Sequence, residues 1–146
     1  MTFHILMLRQ LRLMRSESRH GLMVFRRCLN LPNGNVYRMS VEEAYQTIAN
    51  LGLHVFEADS WDEIIIKCKI GEQMVAREMF RTVDGVQMPA LIEAPFQLSI
   101  KASRAALFLR DDLLKNTGER IWGLTMTIAQ RGKFNIEYSY DKPPEY

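Results

Sequence analysis

Two alternating stretches near the C-terminal end of the chain constrain the fold most. Large apolar residues occupy every second position in both of them, over residues 122–128 and 134–140. In the second stretch these positions are Phe134, Ile136, Tyr138 and Tyr140. A period of two is typical of a strand with one buried face, and Arg131-Gly132 lies between the stretches where a turn would join them. The chain therefore ends in a predicted hairpin with an apolar face on the core and a polar face toward water.

Earlier parts of the chain predict further strands. The apolar positions of the stretch 64–70 are Ile64, Ile66, Cys68 and Ile70. A turn at Gly71-Glu72 leads into a second predicted strand over 73–82, and Asp84-Gly85 is a hairpin signal. A third strand within 86–93 would lie at an edge of the sheet, because Pro89 has no N–H to donate to a neighbour.

Two segments have helical periodicity. Ser40 is a good N-cap with Glu43 three residues later, which predicts a helix over about 41–50 that ends at Gly52 in a left-handed conformation. The stretch 95–118 predicts a longer helix that ends at residues 116–118. Its apolar stripe is Leu98, Ala102, Ala105, Leu109 and Leu113.

The order of these elements predicts an α+β domain. We expect an antiparallel sheet of about four to five strands, with two main helices packed on one face and an N-terminal extension. A turn signal at Pro32 and Asn33-Gly34 marks the boundary. We therefore divide the chain into residues 1–38 and a domain of residues 39–146.

Charge is distributed unevenly between these two parts. Residues 1–38 contain seven Arg and one acid, whereas residues 39–146 contain 12 Lys and Arg against 16 Asp and Glu. Two interpretations of residues 1–38 stay open. They are a basic extension with weak helical periodicity that contacts nucleic acid, or a segment appended by a start site assigned too early.

The sequence offers no recognisable catalytic chemistry. The three histidines have no metal-ligand spacing, and no phosphate loop or nucleophile motif is present. Two cysteines do not form a disulfide framework, and no apolar run approaches the roughly 20 residues that span a bilayer. We predict a cytoplasmic protein that is not an enzyme, with no membrane association, no metal and no cofactor.

Acidic residues are the candidate binding groups. Asp59, Asp62 and Glu63 lie around Trp61, where they could bind a cation or a basic protein or form a solvated loop. Glu137 and Asp141 lie on or beside the last strand, and they argue against base stacking by its aromatic residues. Asp111 and Asp112 on the long helix are a reserve surface, although adjacent helix positions do not share a face.

The C-terminal hairpin resembles that of the YezG-like family of antitoxin and immunity proteins. The matching residues are Trp122, Leu124, Thr125, Thr127, Gly132, Lys133, Phe134, Ile136, Tyr138, Tyr140 and Asp141. The helix at 41–50 and the strand that follows Trp61 also look like the start of the family domain. The resemblance covers about residues 39–146, and residues 1–38 depart from the pattern.

The resemblance implies a bacterial cytoplasmic immunity protein. Such a protein binds a cognate polymorphic or contact-dependent growth-inhibition toxin domain, often a nuclease, and neutralises it without catalysis by occluding its active site or access to its substrate. We predict toxin contacts at Asp59, Asp62, Glu63, Glu137 and Asp141, because acids complement a basic nuclease cleft. The alternative is a nucleic-acid-associated module that uses the arginines of residues 1–38. The toxin and the oligomeric state stay open.

Overall fold

The computed structural model describes residues 39–146, which form two helices and one sheet of five strands. The predicted α+β class is confirmed. In chain order the elements are α1 (Val41–Val55), β1 (Glu63–Ile70), β2 (Val75–Val83), β3 (Val86–Pro89), α2 (Phe96–Thr117), β4 (Gly123–Ala129) and β5 (Phe134–Ser139). The predictions for residues 1–38 lie outside the described part of the chain.

The first helix begins at the predicted cap but ends later than expected. The Glu43 N–H donates to the Ser40 hydroxyl at 3.2 Å, and the Ser40 N–H donates to the Glu43 carboxylate at 2.7 Å. The prediction that α1 stops near residue 50, with Gly52 as a left-handed terminator, is wrong. α1 continues to Val55, and Gly52 lies buried within it. A Cβ at Gly52 would lie 2.6 Å from Cδ1 of Ile66, so this glycine allows the helix to approach the sheet closely.

The sheet has the strand order β3-β2-β1-β4-β5, and every neighbouring pair is antiparallel. Asp84 and Gly85 form the two-residue β2–β3 turn with φ values of 50° and 77°, as the hairpin signal predicts. β3 lies at one edge and ends at Pro89, in agreement with the prediction for that proline. β1 occupies the centre, where Ile66 is paired with Met79 on one side and Met126 on the other.

Both helices cover the same face of the sheet, as predicted. This face receives the alternate buried side chains of β1 and β4, which are Ile64, Ile66, Cys68, Ile70, Leu124, Met126 and Ile128. α2 contributes Ala102, Ala105 and Ala106 to the core, and these small residues allow it to pack closely against α1. Gly118 ends α2 with a φ of 75°, as its sequence predicts. Neither helix within residues 39–146 has the length and apolar composition needed to cross a membrane.

One residue of the last predicted strand does not pack against the core. Phe134, Ile136 and Tyr138 pack against the core, but the prediction that Tyr140 joins them is wrong. The β4–β5 pairing ends with Gly123 opposite Ser139, so Tyr140 lies beyond the ladder and is 50% exposed. Alternation in the sequence continues past the point where the partner strand stops.

Candidate functional site

Three of the predicted contact residues lie together at one end of the sheet. Asp59 belongs to the turn after α1, Asp62 precedes β1 and Glu63 begins it, and all three are exposed. Glu57 in the same turn and Asp84 in the β2–β3 turn are also exposed acids. We refer to these five residues as the acidic end. The pairing of β1 with the end of β2 brings Asp62 and Glu63 beside Asp84, and Glu57 and Asp59 belong to the turn that leads into β1.

Asp62 also has a structural role within the acidic end. Its carboxylate accepts a hydrogen bond from the Asp84 N–H at 2.8 Å, and its own N–H donates to the Thr82 carbonyl at 2.7 Å. The Gln130 N–H donates to the Asp62 carbonyl at 3.1 Å, which places the β4–β5 turn alongside. That turn carries Arg131, so basic charge borders the acidic end on this side. Replacing Asp62 would therefore disturb the turns as well as the charge.

The other two predicted contact residues lie elsewhere. Glu137 projects from the middle of β5 on the face opposite the helices, across from Thr125. Asp141 follows the end of β5. Because β1 and β5 run in the same direction on either side of β4, Asp141 lies at the opposite end of the sheet from Glu63. Six residues of β1 separate these ends, about 20 Å at the usual rise of a strand. The five predicted residues thus do not form one continuous surface.

The two reserve acids on α2, Asp111 and Asp112, have side chains in different surroundings. Asp111 is exposed, and its carboxylate lies 2.8 Å from the guanidinium of Arg110. Asp112 is half-buried, and Tyr45 and Tyr138 lie near it; burial is the main cause that raises the pKa values of both hydroxyls, and the charge of Asp112 adds the smallest contribution. The two side chains therefore face different surroundings, which agrees with the expectation for adjacent positions on a helix.

The face of the sheet opposite the helices is open to solvent and mixed in character. Ile65 and Phe80 form a half-buried cross-strand pair at its centre. The ammonium group of Lys67 lies 5.3 Å from the centre of the Phe80 ring. Glu137 lies further along this face, on the edge strand. Apolar, basic and acidic groups are thus interspersed, as on a surface that could contact a protein.

Three side chains that could take part in catalysis, Cys68, Tyr45 and Tyr138, pack in or against the core within residues 39–146. No cluster of three or more His, Cys, Asp or Glu side chains within residues 39–146 could hold a metal ion. Burial raises the pKa of the Cys68 thiol to about 12, so it is protonated at neutral pH and is a poor nucleophile. The hydroxyls of Tyr45 and Tyr138 hydrogen-bond to each other and join α1 to β5, and burial raises both pKa values.

Sequence reasoning missed a cluster at the end of the sheet away from the acidic end. The guanidinium of Arg120 lies 3.6 Å above the Trp122 ring and donates to the Glu72 carboxylate at 2.6 Å. Tyr146 stacks on the same tryptophan, with ring centres 6.2 Å apart. These residues come from three distant parts of the sequence, and no spacing in the chain indicates that they meet.

A search with models of known protein families finds no match to this chain, and a search of curated proteins finds none either. The resemblance of the C-terminal hairpin to the YezG-like family therefore stays a prediction.

Proposed function

We propose that this chain is an immunity protein that binds and neutralises a cognate bacterial toxin domain, such as a nuclease, in the cytoplasm. It would act by occluding the active site or the access of substrate, without catalysis of its own. The observation that carries the proposal is the acidic end, where five exposed acidic residues come from the turn before β1, the start of β1 and the β2–β3 turn. The resemblance of the hairpin to YezG-like proteins supports the same class.

Charge complementarity gives this surface a physical role. A nuclease attracts phosphates with a basic cleft, and a cluster of carboxylates would be attracted to that cleft over a distance of about one Debye length, ~10 Å at 0.1 M salt. Complementary charge mainly raises the association rate, while contacts that lose water on binding slow dissociation. The described residues carry an excess of four acids, 16 against 12, which also disfavours nucleic acid itself as their partner.

Charge reversal tests the surface. Asp59→Lys and Glu63→Lys should each slow association with the cognate toxin domain, to be sought by pull-down from the native host, by roughly two- to tenfold at low salt, and less at high salt. Glu119→Lys is the matched control, because Glu119 is an exposed acid outside the acidic end. In a toxin co-expression assay, Asp59→Lys and Glu63→Lys should weaken protection, and Glu119→Lys should leave it unchanged. The pair Glu137→Lys and Asp141→Lys tests the remaining predicted contacts separately.

The possible outcomes test the immunity function and the position of the toxin-binding surface separately. If Asp59→Lys loses protection and Glu119→Lys protects as well as the wild type, the result supports both the immunity function and the acidic end as its binding surface. Protection that survives every reversal would move the interface elsewhere on the molecule. If a pull-down from the native host recovers no toxin domain that the wild-type chain binds and neutralises, the immunity proposal is wrong. Binding of the full chain to labelled DNA or RNA at low salt would instead support the alternative that uses residues 1–38.

A further inference from the structure

The β3 edge of the sheet is incomplete. β2 has nine residues and β3 has four, so the first half of β2 extends beyond the end of its neighbour. The last contact on this side is the Ala90 N–H, which donates to the Met79 carbonyl at 2.9 Å. Backbone groups of an antiparallel strand alternate between its two neighbours. The N–H and C=O groups of Val75 and Arg77 therefore point to the same side as the Met79 carbonyl, but they lie beyond the end of β3, and no strand within residues 39–146 is paired with them.

A groove lies against this free edge. It has a volume of about 720 Å³ and is bounded by β2, the end of β3, the loop before α2 and the first turn of α2. Arg77 and Met79 line it from β2, Pro89 from β3, Ile92 from the loop and Phe96 from the helix. The groove thus combines available backbone hydrogen-bonding groups with apolar walls.

Exposed apolar side chains concentrate around this groove. Leu91 is 93% exposed, Ile92 61% and Phe96 74%, all within six residues of the chain. Met74, which immediately precedes β2, is 76% exposed. Apolar patches of this kind are uncommon on monomeric proteins and usually mark a contact surface.

The charge at the groove is acidic. Glu78 and Glu93 line it and are exposed, whereas the Arg77 guanidinium is directed toward α2. There it donates to the Ser99 carbonyl at 2.9 Å and to the Ser103 hydroxyl at 2.6 Å. Lys67 is the cross-strand partner of Glu78, but it lies on β1, away from the edge, and does not line the groove. The carboxylates of Glu78 and Glu93 are therefore the charged groups nearest an incoming segment, and basic side chains complement them.

We propose that the free edge of β2 binds an extended segment of a partner protein with apolar and basic residues at alternating positions, which adds a strand to the sheet beside Val75 and Arg77. Backbone hydrogen bonds would hold the segment, and alternate side chains would enter the groove or meet Glu78 and Glu93. A second copy of this chain fits less well, because it would bring the same two carboxylates to the edge. The proposal goes beyond the immunity function and does not depend on it.

The test uses the full chain and a synthetic peptide of six residues that alternates valine and lysine, with blocked ends. Binding should slow hydrogen exchange of the Val75 and Arg77 amides and leave the amides of edge strand β5 unchanged. In an added strand, the backbone N–H groups of either the valines or the lysines face β2, and those of the other residues face solvent. N-methylation of the residues that face β2 should abolish binding, while N-methylation of the others should not. A peptide with glutamate in place of lysine should bind more weakly.

Protein variants provide the matched comparison. Glu78→Lys with Glu93→Lys should weaken peptide binding by roughly two- to thirtyfold, the range expected when two surface charge pairs are lost together. Glu119→Lys, remote from the groove, should leave it unchanged. Three results would overturn the proposal: no peptide-dependent protection at Val75 and Arg77, equal binding of both methylated peptides, or protection of these amides in the chain without peptide. The last would show that a second copy or another part of this chain already occupies the edge.

Discussion

At the scale of single residues, the Cys68 thiol should lower the stability of the fold as the pH becomes alkaline. Burial raises its pKa from 9.0 to about 12, so the folded state keeps a proton that the unfolded state releases. Stability contributed by the protonated thiol is fully present below pH 9 and is lost as pH rises toward 12, by up to about 1.4 kcal/mol per pH unit. Cys68→Val should remove this contribution. The measurement is the free energy of unfolding by urea at pH 8 and at pH 10.5, for both proteins.

The comparison between the two proteins isolates the thiol from other groups that titrate in this range. Tyr45 and Tyr138 also have raised pKa values and are present in both proteins. The wild-type chain should therefore lose more stability between the two pH values than Cys68→Val does. Equal losses would show that Cys68 is accessible to water in the folded state.

At the scale of secondary-structure elements, Gly52 sets the distance between α1 and the sheet. In Gly52→Ala, the added methyl group would lie 2.6 Å from Cδ1 of Ile66. We expect a net loss of up to about 2 kcal/mol, because an overpacking cost of roughly 1–3 kcal/mol offsets or exceeds the gain in helix propensity of about 1 kcal/mol. Urea denaturation checks this, with Asn50→Ala as a control at an exposed position of the same helix. A Gly52→Ala protein at least as stable as the wild type would show that Ile66 moves aside without cost.

The elements also show what the sequence could predict. Alternating apolar residues specified β1, β4 and β5, since one face of each strand must be buried, and the Asp84-Gly85 turn specified the β2–β3 hairpin. Gly52 was misinterpreted because a glycine needed for close packing looks the same in sequence as one that ends a helix. The scattered positions of Asp59, Glu137 and Asp141 could not be predicted, because they depend on which strands become neighbours. The groove beside β2 was missed because it results from the unequal lengths of two strands.

At the scale of the whole molecule, the last residues of the chain pack back on the sheet. Tyr146 stacks on Trp122 and its ring lies beside Gly71, where an added Cβ would be 3.2 Å from it, and Glu145 forms an ion pair with Lys69 at 3.1 Å. Tyr146→Ala should expose the Trp122 ring and lower stability by about 0.5–1.5 kcal/mol, as expected for loss of a stacked aromatic pair. The measurement is a red shift in tryptophan fluorescence together with urea denaturation. Tyr140→Ala is the control, since Tyr140 is a half-exposed tyrosine with no ring stacked on it among the described contacts.

The central position of β1 has a consequence for biosynthesis. Its partner on one side, β2, follows at once, but its partner on the other side is β4, which pairs Glu63 with Ala129. A ribosome must add about 60 further residues after β1 before that second edge can be covered, which takes roughly 3–12 seconds at bacterial and eukaryotic elongation rates. During this interval a strand rich in isoleucine has an unpaired edge, the feature that invites association with other nascent chains. From the order of the strands we expect association of nascent chains to fall once β4 has been synthesised and can cover this edge.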